Sequence, residues 1–140
     1  MTSAEKLLLL VEDSEDDVLL FLHVYRRSGI ANPVQVVRDG ADALDYLFGK
    51  GQYSDRSRFA LPALVLLDLR VPRIPGFEVL KTIRAAPEFA TLPVVVLSSS
   101  NQDVDMKQAK ALGANSYLVK PSHPHDLHKY VLSLQKEWLA

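Results

Sequence analysis

The stretch KLLLLVEDSEDD, residues 6–17, decides the fold because an apolar run passes directly into a cluster of acids. Consecutive apolar residues from Leu7 to Val11 predict a strand that is covered on both faces, as in a parallel sheet. Five of the next six residues are acidic, namely Glu12, Asp13, Glu15, Asp16 and Asp17. Neighbouring carboxylates repel one another, so such a cluster needs full solvation, a bound cation or protonation of one member.

Four more strand-like runs follow, and segments with helical periodicity separate them. The runs are residues 33–37, 63–67, 93–97 and 116–119, and helices are predicted at 15–28, from 41, around 77–83, at 103–112 and from 124 to the C-terminus. Five strand-helix units with right-handed crossovers predict an α/β protein with a doubly wound, five-stranded parallel sheet. The flavodoxin-like strand order 2-1-3-4-5 is expected, with the second run, which Gln35 interrupts, at an edge.

Composition limits the class of protein. The 140 residues, 48% hydrophobic and 24% charged, suit one globular domain over residues 1–140, with its core at about 6–134, a short C-terminal helical extension and no second domain. A net charge of −1 argues against a nucleic-acid or membrane-surface partner. The absence of cysteine excludes disulfides and thiolate zinc sites. The first apolar run is too short for a signal peptide, so a soluble cytoplasmic protein is expected.

Polar residues follow four of the strands at the point where each strand ends. Glu12 and Asp13 come after the first, Asp68 after the third, Ser98 after the fourth and Lys120 after the fifth. Doubly wound sheets bind ligands at the carboxyl ends of their strands. In the expected order the first and third strands are adjacent, so Asp13 and Asp68 meet there. Carboxylates in this arrangement predict a site for Mg²⁺.

Such a site is suited to phosphoryl chemistry. Asp68 can act as a nucleophile and form an aspartyl phosphate. The metal and Lys120 would offset charge on the transferring oxygens, while Ser98 donates a hydrogen bond to one of them.

At these residues the chain resembles the receiver domains of two-component response regulators. The matching pieces are LVEDSEDD, VLLDLRVPRIPGFEVL, PVVVLSSS and ANSYLVKP, and the resemblance as a whole covers about residues 6–134. The resemblance implies the (βα)5 receiver fold and phosphorylation of Asp68 by a sensor histidine kinase. It also implies signalling through protein contacts or phosphorelay, with no catalysis beyond self-phosphorylation and autodephosphorylation.

The resemblance further implies roles for individual residues. Asp13 and Asp68 would bind Mg²⁺ directly, Glu12 mainly through water, and Arg70 through its backbone carbonyl. Ser98 and Lys120 would contact the phosphoryl group, and the peptide bond before Pro121 is expected to be cis. Ser98 and Tyr117 match the family's switch residues.

Three features favour a narrower group within the family. The expected lack of an output domain, the long loop at residues 49–62 and the C-terminal QKEWLA resemble small stand-alone regulators paired with bacterial phytochrome kinases. A bacteriophytochrome kinase is therefore the expected partner.

The last helix carries apolar residues in two groups. A stripe of Leu127, Tyr130, Val131, Leu134 and Trp138 is expected to cover the sheet. Leu132 and Leu139 are expected on an outer flank, where they favour a homodimer interface.

Two other functions stay open. A haloacid-dehalogenase-type phosphatase also uses a strand-end aspartate with Mg²⁺, but it carries a second aspartate where this chain has Arg70, and a cap domain is missing. A pseudo-receiver would keep the fold without phosphorylation, although the intact acidic, hydroxyl and lysine set argues against it. The acids Glu15, Asp16 and Asp17 also suit a solvated first helical turn.

Overall fold

The computed structural model describes residues 6–140. The strands are β1 (Leu7–Val11), β2 (Val34–Val37), β3 (Pro62–Leu67), β4 (Val94–Ser98) and β5 (Ser116–Val119). The helices are α1 (Glu15–Arg27), α2 (Gly40–Phe48), α3 (Gly76–Ala85), α4 (Asp103–Ala111) and α5 (Pro124–Leu134), and the chain ends in a π-helical turn, Gln135–Leu139. Every strand and helix predicted from the sequence is present, with ends that shift by one or two residues, except that the last α-helix ends at Leu134 and not at the C-terminus.

The five strands form one parallel sheet in the order β2-β1-β3-β4-β5. The predicted order and the edge position of β2 are therefore confirmed. Val11 at the end of β1 pairs with Val37 on one side and with Leu67 on the other. Because these three residues lie at the same level, the residues that follow them emerge together at one edge of the sheet.

Helices cover both faces of the sheet, which explains the unbroken apolar strands. Leu9 and Val11 of β1 pack on the side of α2 and α3, whereas Leu8 and Leu10 pack on the side of α1 and α5. All four are at most 3% exposed. Alternate residues of a strand point to opposite faces, so a strand buried on both sides has no place for a polar residue.

Two glycines let the loop after β3 pass close to its neighbours. A Cβ built at Gly40 would lie 1.8 Å from the carbonyl oxygen of Ile74, and one built at Gly76 would lie 2.5 Å from Cα of Leu69. Any larger residue would push this loop away. The loop begins directly after Asp68, so both glycines help to place the candidate site.

The long loop after α2 is ordered by one arginine and a group of aromatic rings. The Arg56 guanidinium donates hydrogen bonds to the carbonyls of Tyr46 (2.8 Å) and Leu47 (2.7 Å), which lie at the C-terminal end of α2. The rings of Tyr46, Tyr53 and Phe59 pack edge to face. This loop lies before β3, at the sheet edge opposite the strand ends that carry the acids.

The C-terminal turn corrects the prediction for Leu139. Leu139 is fully buried in the core between α1 and α5, whereas Leu132 is 42% exposed, so the two do not share an outer flank. The reason is the π-helical turn, whose hydrogen bonds join residues five apart. Leu139, five residues after Leu134, therefore lies on the same side of the chain as Leu134 and faces the core. Leu127, Val131 and Leu134 are buried as predicted, while Tyr130 and Trp138 are half-buried against them.

The expected cis peptide bond before Pro121 is also wrong, since the described residues contain no cis peptide bond. Trans is the intrinsically preferred isomer of a bond that precedes proline.

Within residues 6–140, no helix has the length and apolar character needed to cross a bilayer.

Candidate active site

Backbone hydrogen bonds extend the sheet by one residue and set the positions of the site residues. The amide of Glu12 donates to the Val37 carbonyl (3.0 Å), and the amide of Asp68 donates to the Val11 carbonyl (3.1 Å). The amide of Lys120 donates to the Ser98 carbonyl (2.7 Å). The side chains of Glu12, Asp68 and Lys120 therefore project from backbone that the hydrogen bonds of the sheet hold in place.

Three carboxylates converge at this edge. Oxygen atoms of Glu12, Asp13 and Asp68 all lie within 4.8 Å of one another. Glu12 and Asp68 are buried, whereas Asp13 is exposed and open to an incoming ion. Oxygen donors and converging negative charge suit a hard divalent cation such as Mg²⁺. The structure therefore brings Glu12, Asp13 and Asp68 together, as the strand-end positions predict.

Lys120 contacts three carboxylates at once. Its Nζ lies 2.6 Å from Oε1 of Glu12, 2.7 Å from Oδ2 of Asp17 and 2.9 Å from Oδ2 of Asp68. Burial by itself lowers the pKa of Lys120, but its hydrogen bonds to Asp17, Asp68 and Glu12 outweigh burial and raise that pKa above its usual value. The ammonium therefore stays charged beside Asp68.

Burial raises the pKa of Glu12 to about 7. The hydrogen bond from Lys120 opposes this rise, and the neighbouring Asp68 adds to it. The second oxygen of Glu12 accepts a hydrogen bond from the amide of Ser14 (3.2 Å). A cation at this position would favour the charged carboxylate.

Both oxygens of Asp68 have partners. Oδ1 accepts a hydrogen bond from the backbone amide of Arg70 (2.9 Å), and Oδ2 accepts one from Lys120 (2.9 Å). Asp68 as a whole is only 6% exposed, but it lies beside Asp13, which is exposed to solvent. The side chain of Arg70 itself is exposed.

Ser98 and Tyr117 are joined through a residue that the sequence analysis missed. The hydroxyl oxygen of Ser98, which is fully buried, accepts a hydrogen bond from the amide of Ser100 (3.2 Å). The Tyr117 hydroxyl donates to the carbonyl of the same Ser100 (2.8 Å). The Ser100 hydroxyl donates to Asp105 in the first turn of α4. No periodicity or motif in the sequence distinguishes Ser100 from its serine neighbours.

Asp17 is the second residue that the sequence analysis missed. It lies in the first turn of α1, as predicted, but its partly exposed side chain also pairs with Lys120, which the solvated turn does not explain. Asp17 is the third residue of α1, which Ser14 caps. Side chains of a helix point toward its N-terminus, so an acid in this first turn reaches back over the strand ends. Its helical position was the signal that could have placed it here.

Comparison with known proteins adds the family. The sequence profile of the response regulator receiver domain matches residues 8–132. Over 134 residues the chain is 38% identical to the probable methanogenesis regulatory protein FilR2 of Methanothrix harundinacea, covering 96% of this chain and 84% of that protein. It is also 38% identical over 134 residues to response regulator Rcp1 of Synechocystis sp., with coverage of 96% and 89%.

Solved structures agree with this sequence similarity. The phosphorylated cyanobacterial phytochrome response regulator RcpA matches with a TM-score of 0.88 at 34% identity, over 97% of this chain and 95% of that one. The Mn²⁺-bound form of Rcp1 matches with a TM-score of 0.84 at 37% identity, over 96% and 94%. Fold, strand-end residues and comparisons agree, and the chain belongs to the response regulator receiver domain family.

Proposed function

We propose that this protein accepts a phosphoryl group from a sensor histidine kinase on Asp68, with Mg²⁺, and signals by protein contacts or phosphorelay. The observation that carries the proposal is the placement of Asp68 between a charged ammonium and two further carboxylates. An oxygen of Asp68 forms a bond to phosphorus while the bond from phosphorus to the donor imidazole nitrogen breaks. The imidazole leaves with that electron pair.

Each residue of the site has a separate task in this reaction. Glu12, Asp13, Asp68 and the Arg70 carbonyl would hold Mg²⁺, whose charge offsets that of the phosphoryl oxygens when it is bound. Lys120 donates a hydrogen bond to one phosphoryl oxygen. Ser98 uses its oxygen to accept from Ser100, so the hydroxyl hydrogen is left to donate to another phosphoryl oxygen.

The two alternatives are less favoured. A phosphatase of the dehalogenase type would carry an acid two residues after the nucleophile, whereas Arg70 stands there with its side chain in solvent. A pseudo-receiver has no need for a lysine held on the acceptor carboxylate, and here that distance is 2.9 Å.

Replacing Asp13 tests the metal site. Asp13→Ala is expected to weaken Mg²⁺ binding at least about tenfold, since even the loss of an outer-sphere partner commonly has an effect of that size. Isothermal titration with Mg²⁺ measures the affinity. Asp16→Ala is the matched control, because it removes the same charge from an exposed residue of the adjacent helical turn. Equal affinities in the two variants would place the ion elsewhere.

The proposed kinase is of the phytochrome type. RcpA, with 34% identity and a TM-score of 0.88, is a phytochrome response regulator. FilR2 is as similar in sequence as Rcp1 and is named for methanogenesis, so the choice of kinase needs a direct test. Short-time phosphotransfer from each purified histidine kinase of the source organism should be fastest from the phytochrome kinase. Faster transfer from another kinase would refute this pairing.

We further propose that phosphorylation shifts Ser98 toward the phosphoryl group and Tyr117 inward, and thereby changes the surface made by α4 and β5. Support comes from the hydrogen bonds that join Ser98, Ser100 and Tyr117. Adding beryllofluoride and Mg²⁺ is expected to move the Tyr117 ring resonances in NMR spectra. Resonances that stay in place would locate the switch elsewhere.

A homodimer through the outer side of α5 remains a prediction, now without Leu139. Leu132 is exposed on this helix and has no role in the core. Leu132→Glu is expected to convert a dimer to a monomer because a charge would be buried at the centre of an apolar contact. Light scattering with size-exclusion chromatography measures the mass. A monomeric wild type, or a dimeric variant, would argue against this surface.

A further inference from the structure

Asp17 differs from the other two carboxylates that contact Lys120. Glu12 and Asp68 belong to the three carboxylates that converge within 4.8 Å, and among the described residues Asp17 is not part of that group. Its Oδ2 lies 2.7 Å from Nζ of Lys120, although the residues are 103 positions apart. Asp17 therefore contacts the lysine without being part of the metal position.

The lysine ammonium has three donor hydrogens, and three carboxylates are within hydrogen-bond distance. When a metal ion and a phosphoryl group occupy the site, Glu12 and Asp68 must turn toward the cation or bond to phosphorus. Besides the phosphoryl oxygen, the carboxylate that remains for Lys120 is Asp17. A lysine side chain is long and flexible, so an anchor on α1 keeps the ammonium where the phosphoryl oxygens will lie.

The negative charge of Asp17 by itself would slow phosphoryl acceptance, because it repels the anionic phosphoryl donor. Two features reduce this repulsion. The Asp17 side chain is 42% exposed, so water screens it, and the Lys120 ammonium lies directly against it. Holding the lysine is therefore expected to outweigh the repulsion.

We propose that Asp17 is a positioning residue for phosphoryl acceptance, because its carboxylate holds the Lys120 ammonium beside Asp68 before and after phosphorylation. The inference rests on the proposed function of Asp68. The contact links α1 to the end of β5. Breaking it is expected to lower the rate of phosphoryl acceptance and to leave the affinity for Mg²⁺ unchanged.

The test compares three variants of the full chain. Asp17→Ala removes the contact, Asp17→Asn keeps an oxygen that can accept the hydrogen bond, and Asp16→Ala removes the same charge from the exposed neighbour. Acceptance is measured with acetyl phosphate at saturating Mg²⁺. Asp17→Ala is expected to be about tenfold slower than wild type, a loss typical of one positioning contact. Asp17→Asn should recover part of that loss, and Asp16→Ala should stay within about twofold of wild type.

A second measurement does not depend on phosphorylation. The ¹⁵Nζ–H signal of Lys120, assigned by its loss in Lys120→Arg, should exchange faster with water in Asp17→Ala than in Asp16→Ala. Thermal denaturation checks that each variant is folded, and Mg²⁺ titration checks that its affinity for the metal is the same as that of the wild type.

The outcomes separate the two hypotheses. If wild type is phosphorylated and Asp17→Ala accepts as fast as Asp16→Ala, or if Asp17→Asn is as slow as Asp17→Ala, the positioning role is refuted while the proposed function stands. An unchanged Lys120 signal in Asp17→Ala would also refute it. If wild type takes up no phosphate, the proposed function fails and this inference fails with it.

Discussion

Asp68→Asn is expected to reduce phosphoryl acceptance to the background of the assay. The amide oxygen of asparagine lacks the negative charge that makes the Asp68 carboxylate a nucleophile. The substitution keeps the size of the side chain, and its one amide oxygen can still accept the hydrogen bond from the backbone amide of Arg70. The amide nitrogen cannot accept from Lys120, but the ammonium keeps its contacts with Glu12 and Asp17, so the site should stay assembled. Intact-protein mass spectrometry after incubation with Mg²⁺ and acetyl phosphate measures the added phosphate.

The control for this experiment is Asp103→Asn, which makes the same change on an exposed residue at the start of α4. It should accept phosphate like the wild type. Because the residue lies near the same edge of the sheet, it also controls for the general loss of one negative charge. Phosphate found on the Asp68→Asn protein at the wild-type level would assign the acceptor to another residue.

Leu139→Ala is expected to lower the free energy of unfolding by about 2 to 3 kcal/mol, as is common when a buried leucine is truncated. Leu139 is fully buried beside Leu134, and its carbonyl accepts a hydrogen bond from the Asn32 amide (3.1 Å). Leu132→Ala makes the same chemical change at a position that is 42% exposed. It should lower the free energy of unfolding by less than about 1 kcal/mol.

Urea denaturation followed by circular dichroism measures both values under one set of conditions. Because the two variants lose the same atoms, the difference between them reports chiefly the difference in burial. Equal values would mean that the π-helical turn detaches from the core at little cost. In that case the helical flank expected from the sequence, with Leu132 and Leu139 together, would describe the protein better.

Much of the fold could be predicted from the sequence because each strand is a continuous apolar run. Such runs require cover on both faces, and helices between parallel strands provide it. Residues at the strand ends could also be predicted, since the carboxyl ends of parallel strands meet at one edge. Asp13 and Asp68 are close for this reason, and Glu12 joins them.

The sequence by itself determined the strands and the identity of the groups at their ends, because these depend on local periodicity and on the direction of the chain. The order 2-1-3-4-5 was an expectation from the fold class, and the tertiary structure has that order. The tertiary structure decided which side chains touch once helices cross the sheet. Asp17 pairs with Lys120 because the first turn of α1 and the residue after β5 both lie at the carboxyl ends of the strands, where the two side chains meet. Leu139 enters the core because the last turn of the chain is π-helical, which rotates it away from the face predicted for an α-helix. Both contacts join residues distant in the chain, and periodicity within one helix carries no information about the element that lies opposite.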